Sequence, residues 1–244
     1  MSDGWNNFVT DFQFVFMEDD RWKSLFQGLG NTLIITFFAV MIGIALGSVV
    51  ATVRTTYDKN HSDMKKRNPV GFYVLGIANV ICKIYLTVIR GTPVVVQLMI
   101  AYFIIFATSN NSTAVAIFAF GINSGAYVAE IVRGGIMSID EGQFEAGRSL
   151  GFNYAQTMIY IIIPQVFKVV LPTLCNEFIV LLKETSVAGY VGIMDLTKAG
   201  DIIRGRTYSA FLPLLGVAVI YLAMVVILTT LVGCLERSLR KNER

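Results

Sequence analysis

The chain has 244 residues, of which 55% are hydrophobic and only 15% are charged, and its mean hydropathy is +0.62. A composition this apolar excludes an ordinary water-soluble domain. The net charge of +3 is small and gives no reason to expect nucleic acid as a partner. We therefore expect an all-α integral membrane protein.

Long stretches without charge set the number of spans. They lie between Lys23 and Arg54, between Arg90 and Glu130, and between Arg206 and Glu236. A spanning helix needs about 20 apolar residues, so the first and third stretches fit one span each and the second fits two. A fifth span is expected at 165–187, although it contains polar residues. The sequence thus predicts five transmembrane helices in a single domain that covers residues 1–244.

Basic residues predict the orientation of these spans. Five lie in the predicted loop 54–68 and four in the C-terminal tail, whereas the polar segment 107–113 has none. The positive-inside rule then puts the first loop and the C-terminus in the cytoplasm and the N-terminus outside. The loop 187–208 fits less well, because it carries three basic residues on the predicted outer side.

Gly43 and Gly47 lie four residues apart in the first span, a spacing that allows close helix contact. That contact could be within one chain or between two copies. The N-terminus lacks the basic region of a signal peptide, so we expect the first span to be retained.

The second span is expected to be broken at the sequence Arg90-Gly91-Thr92-Pro93. One helix from Pro69 to residue 107 would be about 58 Å long, too long for a simple span. We predict helices at 70–89 and 93–107, with Thr92 as N-cap and Pro93 in the first helical position. The break could bind an anionic group such as a carboxylate beside Arg90, or it could be a kink from which Arg90 extends to the interface.

A polar segment at 138–150 follows the span that is predicted at 114–137. Ser138 and Glu141 have the spacing of a capping box, which predicts a helix from residue 139 that stops at Gly151. At about twelve residues this helix is too short to cross a bilayer.

A second short helix is expected directly afterwards. Asn153 and Gln156 repeat the capping arrangement and predict a helix from 154 to Pro164. Together the two helices form an elbow, residues 138–164, on the cytoplasmic side. From the residues alone, a stiff connector and a docking site for a partner protein are equally consistent.

The elbow contains the pattern E-A-G-x3-G-x9-I-x-I-P, which resembles the EAA loop of permease subunits of bacterial ABC importers. Its positions here are Glu145, Ala146, Gly147, Gly151, Ile161, Ile163 and Pro164. Gly147 replaces the second alanine of the usual pattern and Ile163 replaces a leucine. The segments YLTVIRGTPVVVQL, INSGAYVAEIVRGGI and IPQVFKVVLPTLCNEF further resemble motifs of the polar amino acid permease subfamily.

This resemblance implies a type I importer fold in the bacterial cytoplasmic membrane, acting with a second permease subunit that is either identical or a sister chain. It also implies a pair of cytoplasmic ATPase subunits, which would bind the elbow at Glu145, Ala146, Gly147, Gly151 and Pro164. An extracellular solute-binding protein would deliver an amino acid. The chain has no P-loop motif, so ATP is expected on the partner, and we predict neither an enzyme nor a cofactor. His61, the sole histidine, has no catalytic or metal-ligand partners.

An amino acid zwitterion needs a cation or helix N-terminus for its carboxylate and an acceptor for its ammonium group. Ionisable groups inside spans usually face a bundle interior, where they could supply both. The candidates are Arg90, Thr92, Gln97, Glu130, Asn176, Glu177 and Glu184. In the competing interpretation, Lys183 pairs with Glu177 or Glu184 and only packs helices together.

Two other classes of transport protein fit the sequence less well. A self-sufficient secondary transporter would need its own ion-coupling site, and it often has two related halves that are not visible here. A channel would show a filter motif or a pore-lining ring, and none is visible. Dependence on a cytoplasmic ATPase distinguishes the importer from both.

Overall fold

The computed structural model describes residues 2–241, with side chains described at 7–59 and 68–239. Over these residues the chain forms helices and turns and no strands. The α-helices are α1 (Ser2–Phe12), α2 (Trp22–Arg67), α3 (Pro69–Gly91), α4 (Val94–Ile100), α5 (Ser112–Met137), α6 (Glu141–Ser149), α7 (Tyr154–Thr157), α8 (Ile163–Glu184), α9 (Leu196–Thr207) and α10 (Phe211–Lys241).

Five helical stretches are long and apolar enough to cross a membrane, which confirms the predicted number of spans. They are Trp22–Lys59, Pro69–Gly91, Ser112–Met137, Tyr154–Val191 and Phe211–Leu239. A shorter apolar stretch, Val94–Ile105, follows the second of them and contains α4 and a π-helical turn. The second span is therefore broken, as the sequence predicts.

The centre of the bundle is the contact between α2 and α5. Gly43 faces Ser124 and Gly47 faces Val128, so the two helices run in the same direction. A Cβ atom on Gly47 would lie 2.7 Å from the Val128 Cβ, closer than real Cβ contacts allow. The two glycines of the first span thus serve packing within the chain.

Replacing Gly47 with alanine should destabilise the protein, because the added methyl group has no space against Val128. Overpacking of this kind costs about 1–3 kcal/mol. Gly30→Ala is the matched control, since no atom lies within 4 Å of its Cβ position in the same helix. The melting temperature of the detergent-solubilised protein should fall for Gly47→Ala and stay level or rise for Gly30→Ala. Equal melting temperatures for the two variants would contradict the close contact between Gly47 and Val128.

The segment between α8 and α10, predicted as a loop, is folded. A 3-10 helix at Thr185–Val191 leads into α9, whose N-cap is the fully buried Asp195. Its carboxylate accepts hydrogen bonds from the backbone N–H groups of Thr197 and Lys198, while burial raises the pKa of the Asp195 carboxyl. The segment also docks on α2, where the Thr32 hydroxyl accepts from the Leu196 N–H at 3.1 Å. Since α8 leads away from the elbow, α9 lies at the opposite end of the bundle.

Two predicted boundaries on the elbow side are wrong. Residues 54–67 are not a loop, because α2 continues as a helix to Arg67. The helix expected from residue 139 begins only at Glu141, with Asp140 as its N-cap through a 2.7 Å hydrogen bond from the Gly142 N–H. Ser138 does not cap that helix, because it ends α5 and donates its hydroxyl to the Gly135 carbonyl.

The second elbow helix does not end near Pro164. The Asn153 and Gln156 capping box is present, with both reciprocal hydrogen bonds at 2.9 Å. Then α7 passes through a π-helical turn, Met158–Ile162, directly into α8. Pro164, the second residue of α8, has no backbone N–H and therefore leaves one hydrogen bond of this stretch unmade next to the π-helical turn. The elbow and the fourth span are one continuous helical stretch.

Candidate translocation pathway and coupling elbow

Side-chain hydrogen bonds connect the two halves of the broken second span. After Gly91 the chain is extended at Thr92, with φ −122° and ψ 146°, and α4 begins at Val94 with Pro93 as its N-cap residue. Thr92 is therefore not the cap that the sequence predicts. Its hydroxyl instead donates back to the Val88 carbonyl at 2.8 Å.

Gln97 holds the two halves of the span together. Its Nε2 donates to the Ile89 carbonyl at 2.7 Å and to the Thr92 carbonyl at 3.0 Å. Its Oε1 accepts from Nδ2 of the buried Asn123 at 3.0 Å. Most of the hydrogen-bonding capacity of Gln97 is thus used within the chain. Asn123 was not among the predicted site residues, although an amide between apolar residues of a span is a visible signal.

Glu177 lies close to the side-chain amides of Gln97 and Asn123. Its Oε1 accepts from the hydroxyl of Ser124, the neighbour of Asn123, at 3.1 Å. The carboxylate is half-buried, and the described residues give it no ion-pair partner. A polar layer, defined as Gln97, Asn123, Ser124 and Glu177, therefore connects α4, α5 and α8. In hydrocarbon surroundings a carboxylate without a cation is costly, so this layer favours a positively charged ligand.

Arg90 and Glu130 belong to a different cluster. The Glu130 Oε1 lies 2.9 Å from Nη1 of Arg54 and 3.8 Å from Nη1 of Arg90, and its Oε2 lies 3.7 Å from Nε of Arg133. Glu130 follows Asn123 by seven residues, which is about 10 Å along α5. The structure therefore separates Arg90 from Glu177, two residues that were predicted to contact the same ligand.

The remaining predicted residues lie along α8. Asn176 is exposed on its surface, while Glu184 is half-buried about 10 Å beyond Glu177 toward the α9 end. Thr173, Asn176 and Lys183 are all exposed and follow each other at spacings of three and seven residues. These spacings put the three side chains on one face of the helix, which we call the polar face of α8.

The elbow presents part of its sequence motif to the outside. Glu145 and Ala146 are exposed, whereas Gly147 is buried, and a Cβ atom on it would lie 2.6 Å from Cγ2 of Thr157. Gly151 adopts φ +81°, and the N–H groups of Gly151 and Phe152 bond back to the carbonyls of Arg148 and Gly147. This is a Schellman cap, which ends α6 and turns the chain into α7. Pro164 is also exposed and lies ten residues after Tyr154, in the helical stretch that begins with α7.

The part of α2 that continues past Arg54 touches the elbow, which the sequence did not predict. Nζ of Lys59 lies 3.3 Å from Oε1 of Glu141 and 4.1 Å from the ring centroid of Phe144. A cavity of about 320 Å³ lies beside this contact. Its lining includes Asp58, Lys59, Met137, Glu145, Arg148 and Tyr154.

A helical membrane bundle with a broken span and an exposed, capped elbow is the architecture of an importer permease. Residues 68–241 match the family model of the binding-protein-dependent transport system inner membrane component. The chain belongs to this family and is therefore an integral membrane protein.

Relatives extend the similarity over nearly the whole chain. The arginine transport system permease protein ArtQ of Bacillus subtilis is 33% identical over 222 residues, covering 90% of this chain and 94% of the relative. The glutamine transport system permease protein GlnP of Escherichia coli is also 33% identical, over 220 residues, covering 88% and 93%. These relatives support the importer hypothesis and not a secondary transporter.

Solved structures agree with the fold. An amino acid ABC transporter crystallised with histidines has a chain that is 38% identical, with a TM-score of 0.77 over 88% of this chain and 94% of the other. The MetNI methionine ABC transporter in an inward-facing conformation reaches 0.74 over 91% and 98% at 19% identity, which shows the fold alone. The fold is that of the type I ABC importers.

Proposed function

We propose that this chain is the membrane-spanning permease subunit of an ATP-driven amino acid importer. The observation that carries the proposal is the half-buried carboxylate of Glu177, which accepts a hydrogen bond from Ser124 of α5 and has no cation partner among the described residues. An α-ammonium group would provide the missing positive charge and hydrogen-bond donors. Both named relatives are permease proteins for amino acids, which supports this class of substrate.

Under this proposal, the predicted substrate-binding residues lie at two different heights along the axis of the bundle. Glu177 binds the ammonium group, and Gln97 and Thr92 shape the opposite wall, where the half-helix α4 begins. Asn176 and Glu184 border the same route along α8. Arg90 and Glu130 remain predicted ligand contacts at a second level toward the elbow, although in this conformation each lies beside the other.

The polar face of α8 supports a second permease subunit. Thr173, Asn176 and Lys183 are exposed in the membrane region, where contact with lipid tails would leave their polar groups without partners. Such a face is stable when it borders a polar route between two subunits. The translocation pathway then lies between two such faces, whether the second chain is identical or a sister permease.

The partners follow from the two ends of the bundle. A cytoplasmic ATPase pair binds the exposed face of the elbow at Glu145, Ala146, Gly151 and Pro164, while the buried Gly147 lets α6 pack closely against Thr157 beneath that face, and ATP stays on the partner. The α9 end then faces outward, together with the N-terminus, and receives the solute-binding protein. The permease itself carries out no bond chemistry.

Reconstitution tests the proposed function. The permease, its cognate ATPase and its binding protein are assembled in proteoliposomes, and uptake is measured with a panel of labelled amino acids. We expect uptake of at least one of them only when ATP and the binding protein are both present, and no loss when ionophores collapse ion gradients. Uptake driven by an ion gradient without the ATPase would overturn the proposal in favour of a secondary transporter.

A further inference from the structure

We propose that a chain of charged contacts, which we call the ion-pair relay, joins the elbow to the break in the second span and positions that break during transport. This inference rests on the proposed function. The relay runs through four helices and consists of Glu141, Lys59, Asp58, Arg133, Glu130, Arg90 and the additional arginine Arg54.

The first link joins α6 to α2. The Lys59 side chain is only 13% exposed, whereas that of Glu141 is 85% exposed. Its ammonium group contacts both the Glu141 carboxylate, at 3.3 Å, and the ring of Phe144, at 4.1 Å from the centroid. Displacement of α6 therefore either carries the end of α2 with it or separates both contacts.

The second link joins α2 to α5. Nη1 of Arg133 lies 3.1 Å from Oδ2 of Asp58, and Nη1 of Arg54 lies 2.9 Å from Oε1 of Glu130. On each helix the two residues are about one turn apart, so the pairs hold the two parallel helices in register. Val50 of α2 packs in one apolar cluster with Ala126 and Ala129 of α5, and the charged pairs continue this contact toward the elbow end.

The third link joins α5 to the break. Nη1 of Arg90 lies 3.8 Å from Oε1 of Glu130, and its guanidinium lies 5.7 Å from the ring centroid of Tyr127. Arg90 directly precedes Gly91, where α3 ends. A change in the Glu130 carboxylate thus reaches the backbone that Gln97 closes.

The geometry around Glu130 allows two arrangements. Three arginines surround one carboxylate, but only Arg54 is within hydrogen-bond distance, while Arg133 and Arg90 remain at 3.7 Å and 3.8 Å. A shift of about 1 Å suffices to exchange the hydrogen-bonded arginine, since such bonds form below about 3.2 Å. A discrete exchange of partners is the kind of bistable element through which small displacements are transmitted.

The relay reaches a wall of the pathway that the elbow does not otherwise touch. The stretch from α7 to α8 carries elbow motion to Glu177. The break between α3 and α4 lies across the polar layer from Glu177 and is covalently distant from the elbow. With the relay, both walls respond to the same displacement of α6, so Lys59, Asp58, Arg133 and Arg54 are positioning residues for transport.

The test measures coupling in the reconstituted complex, as amino acid molecules imported per ATP hydrolysed. Lys59→Met keeps the length of the side chain but removes its charge, and Arg133→Met does the same in the middle of the relay. Neither residue is a predicted ligand contact. Each variant should lower the coupling ratio about fivefold, the lower end of coupling between sites, while the half-saturating concentration of binding protein stays unchanged.

Non-additivity distinguishes a continuous relay from separate structural effects. The double variant should be no worse than the worse single one, because either substitution already interrupts the same path. Lys59→Arg should retain coupling, and Lys168→Met, an exposed lysine on α8 outside the relay, should behave as wild type. If either methionine variant fails to assemble with the ATPase, Asp58→Asn combined with Arg133→Gln is expected to give the same fivefold loss.

Effects that multiply in the double variant would overturn the relay, as would wild-type coupling in Lys59→Met or loss of coupling in Lys59→Arg. Wild-type coupling in the neutralised pair Asp58→Asn with Arg133→Gln would overturn it equally. If the wild-type complex itself imports no amino acid, the proposed function fails instead, and the relay fails with it.

Discussion

Replacing Glu177 with glutamine should raise the half-saturating concentration of amino acid for uptake by about tenfold or more. The substitution keeps shape and hydrogen bonding to Ser124 but removes the charge that would pair with the α-ammonium group. Hydrogen bonds to charged groups contribute about 1.5–3 kcal/mol, which corresponds to about 10- to 150-fold in affinity. Uptake of labelled substrate into proteoliposomes provides the measurement, with ATP and binding protein at saturation.

The chain offers two comparisons for this experiment. Glu236→Gln makes the same chemical change at the elbow end of α10, outside the polar layer, and should leave uptake unchanged. Ser124→Ala removes the hydroxyl that donates to Glu177 but leaves the charge, so its effect should be smaller than that of Glu177→Gln. Wild-type uptake in Glu177→Gln would refute the ammonium site.

Replacing Gly151 with aspartate should abolish association with the ATPase. A residue other than glycine pays about 1–2 kcal/mol for the left-handed conformation at φ +81°. The new carboxylate would also lie at the C-terminus of α6, where the helix dipole disfavours negative charge. Without the Schellman cap, α6 and α7 lose their fixed angle. The amount of ATPase that co-purifies with tagged permease should fall to background, and Glu145→Lys on the exposed face should act similarly.

The control variants distinguish the effects of backbone conformation and charge at Gly151 from a steric clash. No atom lies within 4 Å of a Cβ at Gly151, so a clash does not explain any effect there. Gly151→Asn should retain much of the association, because asparagine tolerates the left-handed region as aspartate does but adds no negative charge at the C-terminus of α6. Gly134→Ala, also without neighbours but inside α5, should leave association intact. Full co-purification with Gly151→Asp would show that the elbow angle does not matter for docking.

Hydrophobicity and local backbone geometry made the spans and the break predictable from the sequence. Runs without charge gave the number of spans, and the composition of Arg90-Gly91-Thr92-Pro93 gave the break, because glycine and proline act through local backbone geometry. The Gly151 stop and the Asn153 cap were predictable for the same reason. Each depends on residues within one helical turn.

Features that depend on distant contacts were not predictable. The helical continuation of α2 past Arg54 looks like a charged loop in sequence, but its charges at Asp58 and Lys59 pair with α5 and α6. Ser138 matched a capping pattern, yet α5 already uses it at its own end.

The candidate site shows the same limit. The sequence identified Gln97, Arg90 and Glu177 as polar residues in spans that need partners, but it could not assign the partners. The structure pairs Gln97 with Asn123 and puts Arg90 beside Glu130, 40 residues away in the chain. Which polar residues share a level depends on how the helices pack, and that information is absent from any one helix.

The unbroken passage from α7 through the π-helical turn into α8 makes this part of the molecule a lever. From Thr157 to Glu177 it measures about 30 Å, so a tilt of about 10° around the elbow would move the carboxylate sideways by about 5 Å. That displacement is about the length of a small amino acid. The π-helical turn is the natural pivot of such a lever, because it lies at the base, where Pro164 already interrupts the regular hydrogen-bonding pattern.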